Sequence, residues 1–219
     1  MSRPVINLNL GDCMEAMAKM PDNAYDLAIV DPPYGELSSF NNRRGLRSYE
    51  NIEPPIQYYL QLKRISKNQI IWGVNYLQNI HLTGGVIIWN KLGINTNHRK
   101  QAPTISDAEI AHHTFGKRCK IYSYAWMGNV TGNNYEINSQ ESKSRFHPSQ
   151  KPVDLYKWLL HNYAKEGDKI LDTHGGSMSI AIACHDMGFD LDLWELDKEY
   201  YENGVNRFKQ HTAQTRLEL

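Results

Sequence analysis

The sequence predicts an α/β fold in which a mostly parallel sheet carries helices on both faces. Three observations lead to this prediction. Short apolar runs such as residues 27–30 end abruptly at acids or prolines, as buried strands do. Segments with helical periodicity separate these runs, and a strand–turn–helix–strand unit lies between residues 169 and 195. With 219 residues, the chain is long enough for one domain with a sizeable core.

Seven segments have the apolar character of strands and are bounded by glycine, proline or polar residues. They are residues 5–10, 26–31, 69–72, 86–90, 120–126, 169–172 and 189–195. Long polar stretches at residues 35–53, 93–104 and 127–146 separate several of them and are predicted to be loops.

Five helices are predicted from capping residues and from prolines. Short polar side chains cap the first backbone N–H groups of a helix, and proline fits its first position. The predicted starts are Asp12 in a capping box with Glu15, Pro54-Pro55, Pro152, Ile180 after the turn at residues 173–177, and Asp197. The last two helices are predicted to end at Met187, before Gly188, and near Lys209.

The tetrapeptide Asp31-Pro32-Pro33-Tyr34 is the main functional candidate. It places an acid, a rigid corner and an aromatic ring at the carboxyl end of a buried strand, where α/β sheets bind ligands. The Asp31 carboxylate and the Pro32 carbonyl could accept both N–H bonds of an exocyclic amine and expose its lone pair. Tyr34 offers a flat face on which a planar substrate stacks. An ordinary strand end, with Asp as turn former and two prolines as a stop, is the alternative at this point.

The strand–turn–helix–strand unit has the features of a nucleotide-binding site. Asp172 ends its first strand, and Thr173-His174-Gly175-Gly176-Ser177 form a tight turn of mostly small residues. Glu195, followed by Leu196, ends the second strand and stands 20 residues after Gly175. An acid at this separation binds ribose hydroxyls in dinucleotide-binding units. A turn without a ligand is the alternative.

The net charge is zero, but basic residues are concentrated in the middle of the chain. Residues 41–120 carry twelve basic and four acidic side chains, whereas residues 165–219 carry six basic and eleven acidic ones. Clustered positive charge is the electrostatic footprint of nucleic-acid binding, although a solvated face of mixed charges would look similar. The candidate phosphate contacts lie in two polar loops and are Arg43, Arg44, Arg47, Arg99 and Lys100.

Composition argues against several classes of protein. No apolar run is long enough to span a membrane, and the N-terminus has no signal-peptide core, so we expect a cytoplasmic protein without a membrane partner. The three cysteines form no CxxC motif and are expected to be reduced. The nine histidines show no ligand spacing, so no metal site is expected.

Asp31-Pro32-Pro33-Tyr34 resembles the catalytic motif of the amino-methyltransferases that use S-adenosylmethionine, above all the DNA adenine-N6 enzymes. In that family a Ser in first place usually marks cytosine-N4 enzymes, and an Asn also serves protein glutamine methylation, so Asp favours adenine. The catalytic strand comes first and the cofactor-binding unit last, which is the order of the circularly permuted β-class. The resemblance implies a Rossmann-like methyltransferase fold with a seven-stranded sheet, one strand of which is antiparallel.

A second resemblance covers His147-Pro148-Ser149-Gln150-Lys151-Pro152. From the residues alone, this segment places polar side chains at the positive end of a helix, where a carboxylate could bind. It resembles the family's His-Pro-(Thr/Ser)-Gln-Lys-Pro segment, which contacts the methionine moiety of S-adenosylmethionine. The resemblance therefore implies cofactor contacts from His147, Ser149, Lys151 and Pro152.

The turn after residue 172 resembles the family's Asp-Pro-Phe-x-Gly-Ser-Gly motif, matched here by Asp172, Gly176 and Ser177. Thr173 and His174 replace the Pro and the aromatic residue of the motif. Met178 stands where the second glycine is expected, and its side chain would crowd the backbone's approach to the ligand. Asp12 is expected near the cofactor adenine and Asp31 beside the cofactor, as the resemblance implies.

The resemblance implies one methyltransferase domain over residues 1–219 without a separate target-recognition domain. Its catalytic half is about 1–126, followed by the loop 127–146 and a cofactor-binding half of about 147–219. The predicted function is methyl transfer from S-adenosylmethionine to adenine N6 in DNA, and a homodimer or a partner subunit could supply further contacts. A cytosine-N4 or RNA methyltransferase of the same fold, and an inactive subunit that binds cofactor and nucleic acid, are the alternatives.

The basic loop gives the first testable prediction. Replacing Arg43, Arg44 and Arg47 together with alanine is expected to weaken DNA binding. Each phosphate contact releases counterions from the DNA when the protein binds, so a protein with fewer contacts releases fewer counterions. The slope of log affinity against log salt should become shallower by about one unit per lost contact. Fluorescence anisotropy with duplex DNA over a salt series measures this slope, and an unchanged slope would contradict the placement of the three arginines.

Overall fold

The computed structural model describes residues 3–35, 52–77, 82–92, 106–127, 130–132, 136–137, 139 and 145–217. Within these residues the strands are β1 (Ile6–Leu10), β2 (Tyr25–Val30), β3 (Ser66–Trp72), β4 (Gly85–Asn90), β5 (Ala108–His113), β6 (Cys119–Ser123), β7 (Trp126–Met127), β8 (Val130–Thr131), β9 (Glu136–Ile137), β10 (Lys169–Asp172) and β11 (Asp190–Glu195). The helices are α1 (Cys13–Met17), α2 (Ile56–Ile65), α3 (Val153–Tyr163), α4 (Ser179–Met187) and α5 (Lys198–Leu217).

Among the described residues, eight strands form the main sheet in the order β1-β11-β10-β2-β3-β5-β4-β6. Neighbouring strands are parallel, except that β5 runs antiparallel to both β3 and β4. The prediction of a mostly parallel sheet with one antiparallel strand is therefore confirmed. The predicted number of seven strands is wrong, because β5 is an eighth strand that the sequence does not predict.

The physical reason is that β5 depends on its neighbours more than on its own composition. Its sequence, Ala-Glu-Ile-Ala-His-His, has neither a continuous apolar run nor a clean alternation. Ala111 at its centre is fully buried and pairs with Trp72 of β3 on one side and Ile87 of β4 on the other. Pairing between two strands that are distant in sequence overrides a weak local preference.

Helices cover both faces of the sheet, as predicted. Successive side chains of a strand point to opposite faces. Leu27 and Ile29 of β2 belong to a core shared with α3 and α4, which includes Leu159. Ala28 and Val30 belong to a second core shared with α1 and α2. The central strand is therefore buried on both sides, which explains its continuous apolar sequence.

The strand order brings the two sequence motifs to one edge of the sheet. β2 pairs in parallel with β10, with Leu27 opposite Ile170. Asp31, directly after β2, and Asp172, the last residue of β10, therefore lie at the same carboxyl edge. Because β5 is antiparallel, its first residues, including Glu109, also reach this edge.

Several boundaries differ from the sequence prediction, and the strand predicted at 69–72 begins three residues earlier, at Ser66. The predicted strand 120–126 ends at Ser123, and the polar stretch 127–146 contributes to a separate three-stranded antiparallel sheet of β7, β8 and β9. Helix α3 begins one residue later than predicted, with Pro152 as its N-cap. Helix α5 continues to Leu217 instead of ending near residue 209, because no glycine or proline interrupts it there.

Two further expectations concern the cysteines and the membrane. Cys13, Cys119 and Cys184 are all free thiols. Among the helices in the described part of the chain, none combines the length and the apolar character that a membrane crossing requires.

The core gives a prediction about stability. Leu159 is fully buried, whereas Leu60 on α2 is 60% exposed. Leu159→Ala should lower the free energy of unfolding by about 3 kcal/mol, since it leaves a cavity in a packed core. The matched control Leu60→Ala should change it by less than about 0.5 kcal/mol. Urea denaturation followed by circular dichroism measures both, and equal losses would contradict the assigned packing.

Candidate active site

A cavity of about 440 Å³ opens at the carboxyl edge of the main sheet. This volume lies in the usual range of small-molecule sites. Most residues proposed from the sequence line it, namely Asp12, Asp31, Pro33, His147, Ser149, Lys151, Thr173, His174, Gly175, Gly176, Ser177, Glu195 and Leu196. The other candidates among the described residues are buried and do not contribute to the lining; they are Pro32, Tyr34, Pro152 and Asp172.

Glu195 connects the tight turn to the end of β11. Its Oε2 accepts a hydrogen bond from the Gly176 backbone N–H at 2.6 Å, and its Oε1 accepts one from the Asp197 N–H at 2.8 Å. Burial raises the pKa of Glu195, and these backbone donors partly offset the rise. The carboxylate is thus fixed in the cavity wall with lone pairs to spare for a ligand hydroxyl.

The turn requires glycine at positions 175 and 176 for two different structural reasons. A Cβ on Gly175 would lie 2.2 Å from Leu193 Cδ2, so only glycine lets the turn pack on β11. Gly176 has a φ of +49°, and a Cβ there would lie 3.3 Å from the His147 ring. The turn therefore leaves its backbone open toward the cavity, as a close approach to a ligand requires.

Thr173 and His174, which replace the Pro and the aromatic residue of the family motif, are held by a tyrosine from α2. The Tyr58 hydroxyl lies 2.6 Å from Thr173 Oγ1, which lies 2.9 Å from His174 Nδ1. Burial lowers the pKa of His174 to about 4, so the ring is neutral at pH 7. The substituted turn is therefore a satisfied polar network around a flat ring in the cavity wall.

Met178 corrects one expectation. Its backbone has a φ of +56°, the left-handed conformation that glycine adopts without strain. Its side chain is fully buried in the core shared with α3 and α4 and is absent from the cavity lining. A Cβ on Gly204 of α5 would lie 2.8 Å from Met178 Cγ, so the methionine packs against that glycine. The expectation that Met178 crowds the ligand is therefore wrong.

His147 is positioned at the start of α3 by its own segment and by α5. The Ser149 backbone N–H donates to His147 Nδ1 at 3.3 Å, and the Ser149 hydroxyl lies 3.0 Å from the same nitrogen. The Tyr200 ring meets the imidazole edge to face, with centroids 4.3 Å apart. Burial, together with the nearby charge of Lys151, lowers the pKa of His147 to about 4. The neutral ring can present Nε2–H to the cavity.

Asp31 is held by two protein donors. The Tyr34 hydroxyl donates to its Oδ1, and Lys151 Nζ donates to its Oδ2. Burial raises the pKa of Asp31, although the charge of Lys151 acts in the opposite direction. Lys151, a cofactor contact implied by the family resemblance, lines the cavity, but its ammonium group binds the Asp31 carboxylate.

Tyr34 packs within the protein and is 8% exposed. Its ring stacks on Tyr76, with centroids 5.4 Å apart and planes 19° apart. A Cβ on Gly73 would lie 1.9 Å from Tyr34 Cε1, so glycine at 73 makes room for the ring. The structure gives Tyr34 an orienting contact with Asp31 that the sequence did not suggest, while base stacking stays a prediction.

Asp172 lies beneath the turn and is 2% exposed. Its Oδ1 accepts a hydrogen bond from the His174 N–H at 2.9 Å. Burial raises the pKa of Asp172 to about 8, and repulsion from Asp31 and Glu195 adds to the rise. The buried Asp172 side chain thus stabilises the conformation of the turn through its hydrogen bond with the His174 backbone.

Six residues that line the cavity were not proposed as ligand contacts from the sequence. The Gly11 N–H donates to the Glu195 backbone carbonyl at 2.9 Å, which joins the ends of β1 and β11. The side chain of Asp197 caps α5, as predicted, by accepting from the Glu199 and Tyr200 N–H groups. Adjacency to proposed residues was the available signal for some of them. The six are Gly11, Cys13, Gln150, Tyr156, Asp197 and Tyr200.

The proposed phosphate contacts lie outside the described residues, and their role in DNA binding stays a prediction. They are Arg43, Arg44, Arg47, Arg99 and Lys100.

A cluster of histidines and an acid lies away from the cavity. His211 Nε2 and His185 Nδ1 lie 2.7 Å and 3.3 Å from Asp186 Oδ1. These three side chains could in principle ligate a metal ion, and the fold brings His211 to the adjacent pair His185 and Asp186. The second oxygen of Asp186 pairs with Lys157 Nζ at 2.7 Å. Because the lysine already neutralises the acid, we interpret the cluster as an ion-pair group that ties α3, α4 and α5 together.

The hydroxyl of Tyr58 gives a prediction for cofactor binding. Tyr58→Phe leaves Thr173 without this partner and should lower the free energy of unfolding by about 1 kcal/mol. It should also weaken binding of S-adenosylmethionine several-fold, because His174 loses its support. Isothermal titration calorimetry and urea denaturation measure the two effects.

The neighbouring Tyr59 is the matched control. Its hydroxyl is buried without a hydrogen-bond partner among the described residues. Tyr59→Phe should therefore leave both stability and cofactor affinity nearly unchanged. Equal losses from the two variants would contradict the proposed role of the Tyr58–Thr173 contact.

Known proteins resemble this chain over most of its length. The chain is 25% identical over 206 residues to YubD of Escherichia coli (strain K12), covering 90% of this chain and 87% of that protein. It is 24% identical over 257 residues to the type II methyltransferase M2.MboI of Moraxella bovis, covering 93% and 92%. The fold resembles that of M1.HpyAVI in its complex with S-adenosylmethionine, with a TM-score of 0.58, 18% identity and coverage of 93% and 100%.

The cytosine-N4-specific PvuII DNA methyltransferase has a similar fold, with a TM-score of 0.58, 13% identity and coverage of 97% of this chain and 93% of that one. The model of the N6/N4 family of DNA methylases matches residues 25–206, which include all three sequence motifs and most of the main sheet. The chain therefore belongs to the N6/N4 DNA methylase family.

Proposed function

We propose that this DNA methylase transfers a methyl group from S-adenosylmethionine to the exocyclic N6 of adenine in DNA. The observation that carries the proposal is the position of Asp31. Its carboxylate lies in the wall of a cofactor-sized cavity, and both of its oxygens are oriented by protein donors. A fixed acceptor at this edge of an α/β sheet is what the activation of an amine requires.

The amine of a nucleobase is a poor nucleophile because its lone pair is delocalised into the ring. Two acceptors aimed at its two N–H bonds favour a pyramidal nitrogen and expose that lone pair. Asp31 is one proposed acceptor, and the backbone carbonyl of Pro32 is the other. Pro32 and Pro33 restrict φ at this corner, so little reorganisation is needed when the amine arrives.

Asp31 is also suited to take the proton that the nitrogen must lose. Burial raises its pKa, and the negative charge of Glu109 adds to the rise, against the effect of Lys151. A carboxylate with a raised pKa is a stronger base than an exposed one at the same pH. In this proposal the proton passes from N6 to Asp31 as the nitrogen gains its methyl group.

The cavity fits the cofactor in volume and in its polar groups. We propose that Glu195 binds ribose hydroxyls and that Asp12 lies near the adenine, while His147 and Ser149 donate to the amino-acid carboxylate. Asp12 also caps α1 by accepting from the Met14 N–H at 2.7 Å, which fixes its orientation. When bound, S-adenosylmethionine supplies an electrophilic methyl group on its sulfonium.

A base in duplex DNA must leave the stack before its amine can reach Asp31. Extrusion costs a few kcal/mol, which contacts between basic side chains and phosphates offset. The stacked pair of Tyr34 and Tyr76 is the aromatic wall proposed to receive the base. Tyr76 is the more exposed of the two rings, so we infer that it is the outer member of the wall.

Cytosine N4 is the second candidate target. The same pair of acceptors could hold its amine, and the fold resembles that of a cytosine-N4-specific enzyme as closely as that of M1.HpyAVI. Met178 in place of the motif's second glycine was the reason to consider an inactive subunit. Its side chain is fully buried and does not line the cavity, so it gives no support to that alternative.

Asp31→Ala tests the proposed mechanism. Loss of one acceptor should lower the rate of methyl transfer by at least about 100-fold. Binding of S-adenosylmethionine should survive, because most of the cavity lining is unchanged. Transfer of labelled methyl groups to duplex DNA, followed by mass spectrometry of the nucleosides, measures the rate and identifies the product.

Asp22→Ala is the matched control, because Asp22 precedes the same strand at its opposite end and is 72% exposed. It should retain the activity of the unmodified protein. Near-normal transfer by Asp31→Ala would defeat the mechanism, and N4-methylcytosine as the sole product would replace adenine as the target.

A further inference from the structure

Four charged side chains form a chain of alternating sign that leads from Asp31 away from the cavity. We call Asp31, Lys151, Glu109 and Lys91 the charge chain. Lys151 Nζ donates to Asp31 Oδ2 and lies 3.2 Å from Glu109 Oε2. The other oxygen of Glu109 accepts from Lys91 Nζ at 2.9 Å. Two cations therefore balance two anions.

Burial makes these contacts strong. The side chain of Lys151 is 2% exposed, and those of Asp31 and Glu109 are 12% and 24% exposed. An ammonium group removed from water needs acceptors on all three of its N–H bonds. Lys151 has them in the two carboxylates and in the Tyr34 hydroxyl at 3.3 Å.

Glu109 reaches Lys151 because β5 is antiparallel. It lies at the start of β5, opposite Trp89 of β4, and so at the edge where the parallel strands end. It does not contribute to the cavity lining. Any influence of Glu109 on the reaction must therefore act through its contact with Lys151 or through its charge on Asp31.

We propose that Glu109 is a positioning residue for methyl transfer: by sharing the ammonium group of Lys151, it keeps the Asp31 carboxylate oriented and yet able to accept the target amine. This inference rests on the proposed function of Asp31. Without Glu109, Lys151 would neutralise Asp31 alone and weaken it as an acceptor. With Glu109, the lysine fixes the direction of the Asp31 carboxylate while part of the lysine charge is balanced by Glu109.

The charges around Asp31 agree with this division of roles. Burial opposes ionisation of Glu109, but Lys151 and Lys91 together lower the pKa of Glu109 to about 2, so it carries its charge throughout the neutral range. Its charge raises the pKa of Asp31. The titratable groups that face Asp31 among the described residues are Tyr34, Glu109, Lys151, Tyr156 and Asp172.

Glu109→Gln tests the proposal, because it removes the charge and nearly keeps the size. Asp31 must be ionised to accept the amine, so activity is lost as the pH falls through its pKa. Removing the charge of Glu109 lowers that pKa. In a plot of the single-turnover rate against pH, the acid limb, where activity falls as the pH decreases, should therefore move to lower pH by about one unit. The plateau rate should fall by about threefold, since Asp31 becomes a weaker base.

Two further variants separate charge from packing. Glu109→Asp keeps the charge and shortens the side chain, so its acid limb should stay near that of the unmodified protein. Lys91→Gln leaves the Glu109 charge less compensated, so its acid limb should move to higher pH. A packing role alone predicts that Glu109→Asp is at least as impaired as Glu109→Gln and that no acid limb moves.

The measurement uses preformed complexes of the full chain with duplex DNA and labelled S-adenosylmethionine. Thermal unfolding and cofactor calorimetry report whether each variant is folded and binds the cofactor. If Glu109→Gln does not fold, the shift of Lys91→Gln decides. Unmoved acid limbs in folded variants overturn the inference, even if Asp31→Ala is inactive. An active Asp31→Ala would instead defeat the proposed function itself.

Discussion

The ion pair between Lys151 and Asp31 joins the segment after β2 to the segment before α3 at the carboxyl edge of the main sheet. The partners are 120 residues apart in sequence, one after β2 and the other before α3. The backbone carbonyl of Lys151 accepts from Ser179 Oγ at 2.7 Å, and Arg207 Nη1 of α5 donates to the same hydroxyl at 2.9 Å. One residue thus links the acid proposed for catalysis to the first turn of α4 and to the last helix.

A buried ammonium group would destabilise the fold if any of its partners were missing. The antiparallel strand β5 supplies one of the partners of Lys151, because it places Glu109 at the carboxyl edge of an otherwise parallel sheet. Architecture and electrostatics are therefore coupled: the direction of one strand decides whether the lysine beside Asp31 is compensated. Glu195, which also lines the cavity, is held instead by the backbone N–H groups of Gly176 and Asp197, which carry no charge.

Sequence reasoning located the elements whose signals are local. The parallel strands, the turn at Gly175 and Gly176, and the tetrapeptide at Asp31 follow from runs of adjacent residues, and most of the proposed residues line one cavity. Features that depend on distant contacts were missed. Strand β5 is defined by ladders to β3 and β4, the contact of Lys151 with Glu109 requires those ladders, and the direction of the Met178 side chain is set by its packing against α5.

Met178 stands where the family motif has a glycine, and Gly204 of α5 provides the space for its side chain. The methionine occupies space that a side chain at 204 would need, with only 2.8 Å from its Cγ to a Cβ built there. Residues 178 and 204 should therefore covary during evolution. Lineages with glycine at 178 would keep only the tight contact of 3.2 Å between the Gly176 carbonyl oxygen and an alanine Cβ at 204, whereas lineages with a long side chain at 178 would favour glycine at 204.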